Sequence, residues 1–305
     1  MDITNVPVVA GEGKKMGVIS RLPWWAKLGA KLALARLPVP YGFWRGAGLF
    51  RHGEMNIPVR ALKTFDTYYR RATAHAPLAP GFHSLELGPG DSVLSGMVAR
   101  AYGASHAWLV DAGAFADTDV SACRKMVELL RTHGKTVPDI DDTTSLPEVL
   151  QRAGIDYLTE GTTSLASIPD ASVDFFWSQV VLEHVPRAEF PWLLQELRRI
   201  VSHRGIGAHS IDFRDHLGGG LNNLRFSHAT WEGRAFRGSG FYTNRIRPRE
   251  MLAMFAEAGF DVELVGETRW PGMPIRRDQL AREFHKLPDE DFMVAEIEII
   301  VRPKP

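Results

Sequence analysis

The chain has 305 residues, 45% of them hydrophobic and 24% charged, enough apolar material for a full core in one large domain or one domain plus a subdomain. Lys and Arg number 36 and Asp and Glu 36, so the net charge is zero and there is no global basic field to gather nucleic acid. The single cysteine, Cys123, excludes an intrachain disulfide and a cysteine-based zinc site, and it suits a reducing, cytoplasmic compartment.

Residues 1–20 are expected to be mobile. Their lack of a long apolar stretch and of a cleavage pattern argues against a secretory signal. No window approaches the roughly 20 apolar residues that span a bilayer. The nearest, Leu22 to Leu37, is interrupted by Lys27, Lys31 and Arg36. Trp24, Trp25, Leu28, Leu32 and Leu34 around those cations fit two helices. One packs on the domain with its cations in water, and the spacing favours it; the other lies in a membrane interface. Residues 22–76 read as helices broken at Leu37-Pro38-Val39-Pro40-Tyr41 and near Asn56-Ile57-Pro58. The chain thus divides into a mobile N-terminus with a helical lead-in, residues 1–76, and a second region, residues 77–305.

From Phe82 short apolar strands alternate with helices. Strands are expected at Phe82–Leu87, His106–Asp111, Ile155–Thr159, Val173–Ser178, Gly205–Ile211, Phe260–Gly266 and Met293–Val301, and helices at Val93–Tyr102, Asp119–Thr132, Arg187–Val201 and Arg247–Ala258. Such alternation builds an α/β fold, a mostly parallel sheet with helices on both faces. The last two strands are separated by about 25 residues without a clear helix, which suits an antiparallel pair at the sheet edge. Two insertions interrupt the pattern. Residues 133–154 carry Asp139, Asp141 and Asp142 and a short helix from Pro147. Residues 212–247, dense in Arg, His, Asn, Gly and aromatics, follow the carboxyl end of a strand, the edge at which open α/β sheets bind ligands.

Leu85-Glu86-Leu87-Gly88-Pro89-Gly90 leads from the first strand into a helix. A Gly-x-Gly turn lets backbone press against a ligand, and after a parallel strand it is where nucleotide-like cofactors sit. Asp111 closes the second strand, 21 residues past Gly90, where an acid can accept from a ribose diol or cap the following helix. The position three after Gly90 is Val93, so the dinucleotide pattern Gly-x-Gly-x-x-Gly fails. Glu86 is foreign to that pattern as well, and a carboxylate there suits the ammonium of an amino-acid moiety.

These pieces resemble the class I S-adenosylmethionine-dependent methyltransferases. Three more segments carry the resemblance. The first, Ser172 to Val185, looks like the fourth strand and loop of the branch known as methyltransferase 11. The others are Leu197-Arg198-Arg199-Ile200-Val201 with Gly205, and Ala258-Gly259-Phe260. The resemblance covers roughly residues 82–267 and implies a Rossmann-like, seven-stranded sheet with the last strand antiparallel. It implies S-adenosylmethionine as cofactor, with Gly88, Pro89 and Gly90 on its methionine side and Glu86 at its amino group. Asp111 and Ala112 would lie at the ribose, and Ser178 and Gln179 beside the sulfonium. Thr162 stands where the family has an acid near adenine, so hydroxyls or backbone at Thr163, Ser164 and Leu165 take that place. The insertion, with Asp-His-Leu-Gly-Gly and Asn-Asn-Leu-Arg-Phe-Ser, resembles a bacterial subgroup.

What this implies is O-methylation of a small polar, glycosidic or specialised-metabolite acceptor. A hydroxyl acceptor must lose its proton, and His is the usual base near neutral pH. His216, next to Asp215, is the first candidate; His184 and His209 are others, His209 equally fitting a hydrogen-bonded structural histidine. Asp212, Asn222, Asn223, Arg225, Trp231, Tyr242 and Arg245 are the candidate acceptor contacts. Arg225, Arg245 and Arg247 either clamp an anion or pair with acids of the loop, and Trp231, Phe241 and Tyr242 either stack on a ring or form the core of the cap. Glu183-His184 resembles metal-dependent ubiquinone-pathway O-methyltransferases, but Val180 replaces the earlier Glu, so no metal is expected. Two other readings remain: a catalytically silent protein keeping the cofactor fold, and a membrane-surface enzyme acting on a lipid-linked glycan through the Trp24-Trp25 helix.

Overall fold

A computed structural model describes residues 23–34 and 55–305; the break expected at Leu37–Tyr41 and the mobility expected of residues 1–20 fall outside these residues. All seven expected strands form: β1 (His83–Leu87), β2 (His106–Val110), β3 (Ile155–Leu158), β4 (Val173–Gln179), β5 (Val201–Asp212), β6 (Phe260–Arg269) and β7 (Val294–Pro303). They make one sheet in the order β3-β2-β1-β4-β5-β7-β6. β1 pairs in parallel with β2 and β4, and β2–β3 and β4–β5 are parallel too. β7 runs antiparallel to β5 and β6, as the long helix-poor connection between the last two strands suggested. The chain leaves β1 in one direction and returns to β4 on its other side. The carboxyl ends of β1 and β4 therefore flank the crevice where the winding reverses.

Period-two alternation splits β4 between the two faces. Phe175 and Trp177 join one buried cluster and Phe176 the other. The first face is covered by α2 (Pro58–His75), α3 (Leu94–Ala101), α4 (Ser121–Thr132) and α5 (Leu146–Ala153), the second by α6 (Phe190–Ile200) and α7 (Pro248–Glu257). α5 is the short helix expected from Pro147, and its ends explain its limits. Ser145 and Glu148 form a capping box, and Gly154 ends the helix at φ 63°, a conformation that favours glycine.

The lead-in separates into two parts. α2 is amphipathic, and Ala61, Leu62, Phe65, Tyr68 and Ala72 share the core of the first face. The boundary expected at residue 76 thus falls inside one packed unit. α1 (Trp24–Leu34) instead covers the insertion: Leu28 is buried with Leu217, Trp231, Phe241 and Tyr242, and Trp24 and Leu32 pack around them. Arg225 lies over the Trp24 ring at 5.1 Å. This is the packed helix that the spacing favoured, with Trp25 facing outward. No described helix is long and apolar enough to cross a membrane.

Two boundaries differ from expectation. The helix expected over Arg187–Val201 begins at Phe190, with a proline in its first turn, where a missing N–H costs nothing. β5 begins at Val201 rather than Gly205. Val201 pairs with Val173, and then Ile206 pairs with Phe175 across a register irregularity. The polar run Ser202-His203-Arg204 lies within that irregularity and reads as a turn.

Phe65 locks α2 to the sheet, with its ring 5.3 Å from Tyr102, 5.9 Å from Phe175 and 6.0 Å from Trp177. Phe65→Ala is expected to cost about 3–5 kcal/mol in urea unfolding; a loss under about 1 kcal/mol would show that α2 is not part of the cooperative unit.

Candidate active site

Four strand ends meet at the carboxyl edge. Gly88 and Gly90 both adopt φ 70°, which only glycine accepts freely. Gly88 N–H donates to the Val110 carbonyl at 2.8 Å, tying the turn to the end of β2. One Asp111 carboxylate oxygen accepts Gly90 N–H at 2.8 Å. The other accepts Ala112 N–H at 2.7 Å. The same residue's backbone bonds Leu158 and Gly161, so Asp111 joins the ends of β1, β2 and β3.

The loop after β4 closes the other side. A Cβ on Gly88 would lie 2.4 Å from a Val181 methyl group, so the glycine turn and this loop are in direct contact. Val180, just before, holds φ 55°, an outlier for a β-branched residue and a strain typical of functional sites.

Glu86 lies beneath the turn, 4% exposed, and accepts a hydrogen bond from the Ser95 hydroxyl at the start of α3. Burial pushes its carboxyl up to about 8, with Asp111 adding to the rise and Ser95 opposing it. Glu86 is therefore a neutral acid at pH 7 until a cation approaches.

On the expected adenine side, the hydroxyls cap their own turn. Thr163 Oγ1 donates to the Glu160 carbonyl at 2.6 Å, and Ser164 Oγ accepts Glu160 N–H at 3.0 Å. Leu165 is core, and its carbonyl is gripped by Arg199. Backbone and the exposed rim at Thr163 are what this segment presents.

The structure reassigns Ser178 and His209. Both are fully buried, and Ser178 Oγ meets His209 Nδ1 at 2.8 Å, so the hydroxyl points into the sheet core and not along its edge. His209 sits against Phe176 and Phe255, and burial pushes its imidazole down to about 3. It has no path to an acceptor and is a structural histidine. Gln179, at the strand end, is exposed.

Within the insertion, most expected acceptor contacts hold the insertion itself together. Asp215 is buried, and its carboxylate accepts the backbone N–H groups of Leu217, Gly218 and Asn222; it shapes the glycine-rich turn and does not orient the His216 ring. Arg245 is buried at φ 58° and donates to the Asn223 and Phe226 carbonyls; burial lowers it to about 10. Trp231 donates to the Thr243 carbonyl at 2.7 Å, and Asn223 to the Thr243 hydroxyl at 2.9 Å. Tyr242 donates to Glu232 at 2.9 Å. Asp212 is paired with Arg214 at 2.8 Å. Asn222 accepts from Arg225, which also donates to Gln279. Trp231, Phe241 and Tyr242 are therefore cap core, and the arginines bond within the protein.

His184 and His216 are brought together. Their rings stack at 5.0 Å and 8°, with Nε2 to Nε2 at 3.3 Å, both exposed at the carboxyl edge. His184 lies in the turn begun by Val181, whose carbonyl accepts His184 N–H, so the pair stands on the loop that touches the glycine turn. Two residues not singled out from the sequence support it. Asn244 donates from Nδ2 to the Leu182 and Val185 carbonyls and from its backbone to Glu183. Glu183 is fully buried, and burial raises its carboxyl well above the ordinary value. Only the Glu183-His184 pairing hinted at Glu183; nothing marked Asn244. Among the described residues no group of three or more His, Cys, Asp and Glu could hold a metal ion.

Residues 85–208 match the family described as "Methyltransferase domain". With the sheet order above, this segment is a class I S-adenosylmethionine-dependent methyltransferase domain, and its cofactor is S-adenosylmethionine. Solved structures similar to the chain include YcgJ of Bacillus subtilis, 14% identical over 81% of this chain and 99% of that one, TM-score 0.43. A SAM-dependent methyltransferase of Methanosarcina mazei is 15% identical over 76% and 98%, TM-score 0.45. A phosphoethanolamine N-methyltransferase 2 of Haemonchus contortus, in complex with S-adenosylmethionine, is 14% identical over 80% of this chain and 53% of that one, TM-score 0.44. No curated protein matches the chain in sequence. The residues present fit the cofactor: a glycine turn that a Cβ would fill, an acid spanning the strand ends beside it, and a buried acid able to charge against an ammonium.

The folded Glu86 holds its proton up to about pH 8, while the unfolded chain releases it near 4.5. The native state binds the extra proton through that window, so this group lowers stability as pH rises from about 4.5 to 8. Glu86→Gln is expected to gain on the wild type by a few kcal/mol at most between pH 5 and pH 8 in urea unfolding; identical pH slopes in the two proteins would refute the assignment.

Proposed function

We propose that the protein transfers the methyl group of S-adenosylmethionine to a hydroxyl of a small polar acceptor, glycosidic or of a specialised metabolite, with the His184–His216 pair taking the proton. The observation that carries this reading is the stacked pair on the loop seated against the glycine turn. When bound, the cofactor supplies an electrophilic methyl group on a sulfonium. The turn and Asp111 would hold it at the strand ends, and Glu86 would lose its proton to balance the ammonium. The imidazole pair would take the proton of an acceptor hydroxyl as that hydroxyl receives the methyl group. Placing the acceptor against the methyl supplies much of the rate, and the base contributes about two to four powers of ten. A cytoplasmic location is supported only by the lone buried thiol of Cys123.

Calorimetry with S-adenosylhomocysteine is expected to show binding that Asp111→Ala weakens at least about tenfold, the equivalent of about 1.4 kcal/mol. His216→Ala is expected to keep that affinity and to lower transfer of labelled methyl groups to a panel of sugars, glycosides and phenols by about a hundredfold or more. Absence of binding by the wild type would end the enzyme reading; undiminished transfer by the variant would end the assignment of the base.

A further inference from the structure

We infer that Tyr157 is the positioning residue for recognition of the cofactor's base: its hydroxyl fixes the main chain of residues 112–116, and that main chain reads the edge of the adenine. This rests on the reading of Asp111 as the ribose contact. The sheet order β3-β2-β1-β4 lays the cofactor out along the carboxyl edge. With its methionine end at the glycine turn after β1 and its ribose at Asp111 after β2, its base reaches the end of β3. Two segments meet there, residues 112–116 after Asp111 and the turn from Gly161 after β3. Gly161 N–H donates to the Asp111 carbonyl at 2.8 Å, and a Cβ on Gly161 would lie 3.8 Å from Ala112 Cα. Neither segment carries a carboxylate. The Thr163 and Ser164 hydroxyls bond Glu160. Ala112, Gly113 and Ala114 have no polar side-chain atom, so their hydrogen bonds to a base come from the main chain.

A main chain discriminates only if it is held. Residues 112–116 run from the end of β2 to Asp117, whose N–H donates to the Asp91 carbonyl beside the glycine turn at 2.9 Å. Between those ends the Tyr157 hydroxyl holds them. It donates to the Gly113 carbonyl at 3.1 Å and accepts Phe115 N–H at 3.0 Å and Ala116 N–H at 3.2 Å. One bond donated and two accepted is the full capacity of a hydroxyl. The Tyr157 ring packs against the core of the first face, and its strand position pairs with Leu109 of β2, so the hydroxyl is a fixed post. Adenine offers an acceptor at N1 and a donor at its 6-amino group. Hypoxanthine offers the reverse, a donor at N1 and an acceptor at O6. A fixed pair of main-chain groups suits one edge and opposes the other, and an unmatched polar group costs more than a matched one contributes. A loop free to turn would suit either.

The test needs no acceptor. Calorimetry on the full chain compares S-adenosylhomocysteine with S-inosylhomocysteine, in which a carbonyl replaces the 6-amino group. The wild type is expected to prefer the adenine form by about tenfold or more, and Tyr157→Phe, which removes only the hydroxyl, to prefer it by less than about threefold. A merely structural role would lower both affinities together and leave their ratio unchanged. At matched saturation of the wild type, the amides of residues 112–116 are expected to exchange with solvent about threefold or more slowly with the adenine ligand than with the hypoxanthine one. Equal wild-type affinities, equal exchange with the two ligands, or a wild-type ratio in the folded variant would each overturn the inference. The two wild-type measurements decide even if the variant fails to fold. Undiminished affinity in Asp111→Ala would remove the ribose reading and this inference with it, whereas equal wild-type affinities beside a weakened Asp111→Ala would sink this inference alone.

Discussion

The carboxylate of Asp111 is the bond on which the cofactor side depends. It joins the glycine turn to the residue following β2, and its backbone joins β2 to the β3 strand end and the turn beyond it. Three parallel strands connected by long crossovers have no local contact at their carboxyl ends. A charged acceptor bonding two backbone N–H groups provides one, and charge-assisted bonds are the stronger kind. The positive φ of Gly88 and Gly90 is tolerable because the turn is held at both ends.

The insertion is built on the opposite plan. Its buried arginines, Arg245 and Arg247, are turned inward and donate to carbonyls. Arg247 is fully buried and donates to Phe213, Asp291 and Val294, and burial lowers it to about 9. Removing a partner from such a group leaves a buried donor unsatisfied, which costs more than an ordinary surface pair contributes. Charge there fixes the shape of the insertion, and the two histidines remain at the rim.

Much of this was legible in the sequence, and the failures have a common cause. Strands β1, β2 and β4 announce themselves as apolar runs between turn residues, and the glycine spacing with Glu86 and Asp111 marks the strand edge at which those residues meet. A sequence names residue types but not the direction a side chain takes. Ser178 and His209 look like edge residues, but the sheet buries both in the core, where Ser178 Oγ bonds His209 Nδ1. Asp215 beside His216 looks like an acid orienting a base, but adjacent side chains diverge and the acid serves the turn. The stacking of His184 on His216 joins positions 32 apart, and only the fold brings them together. The start of β5 was hidden because Ser202-His203-Arg204 has the polarity of a turn.

The insertion shares a small apolar core with α1, separate from the two layers that flank the sheet. Its ties to the loop after β4 run through a few bonds around His184. Phe213 and Ile246 nevertheless join the core of the second face, so the insertion and the strand ends are two regions of one packed unit. On the proposed reading, substitution on the outer surface of the insertion, away from Phe213 and Ile246, leaves the glycine turn undisturbed, so one cofactor cradle serves acceptors of different shape.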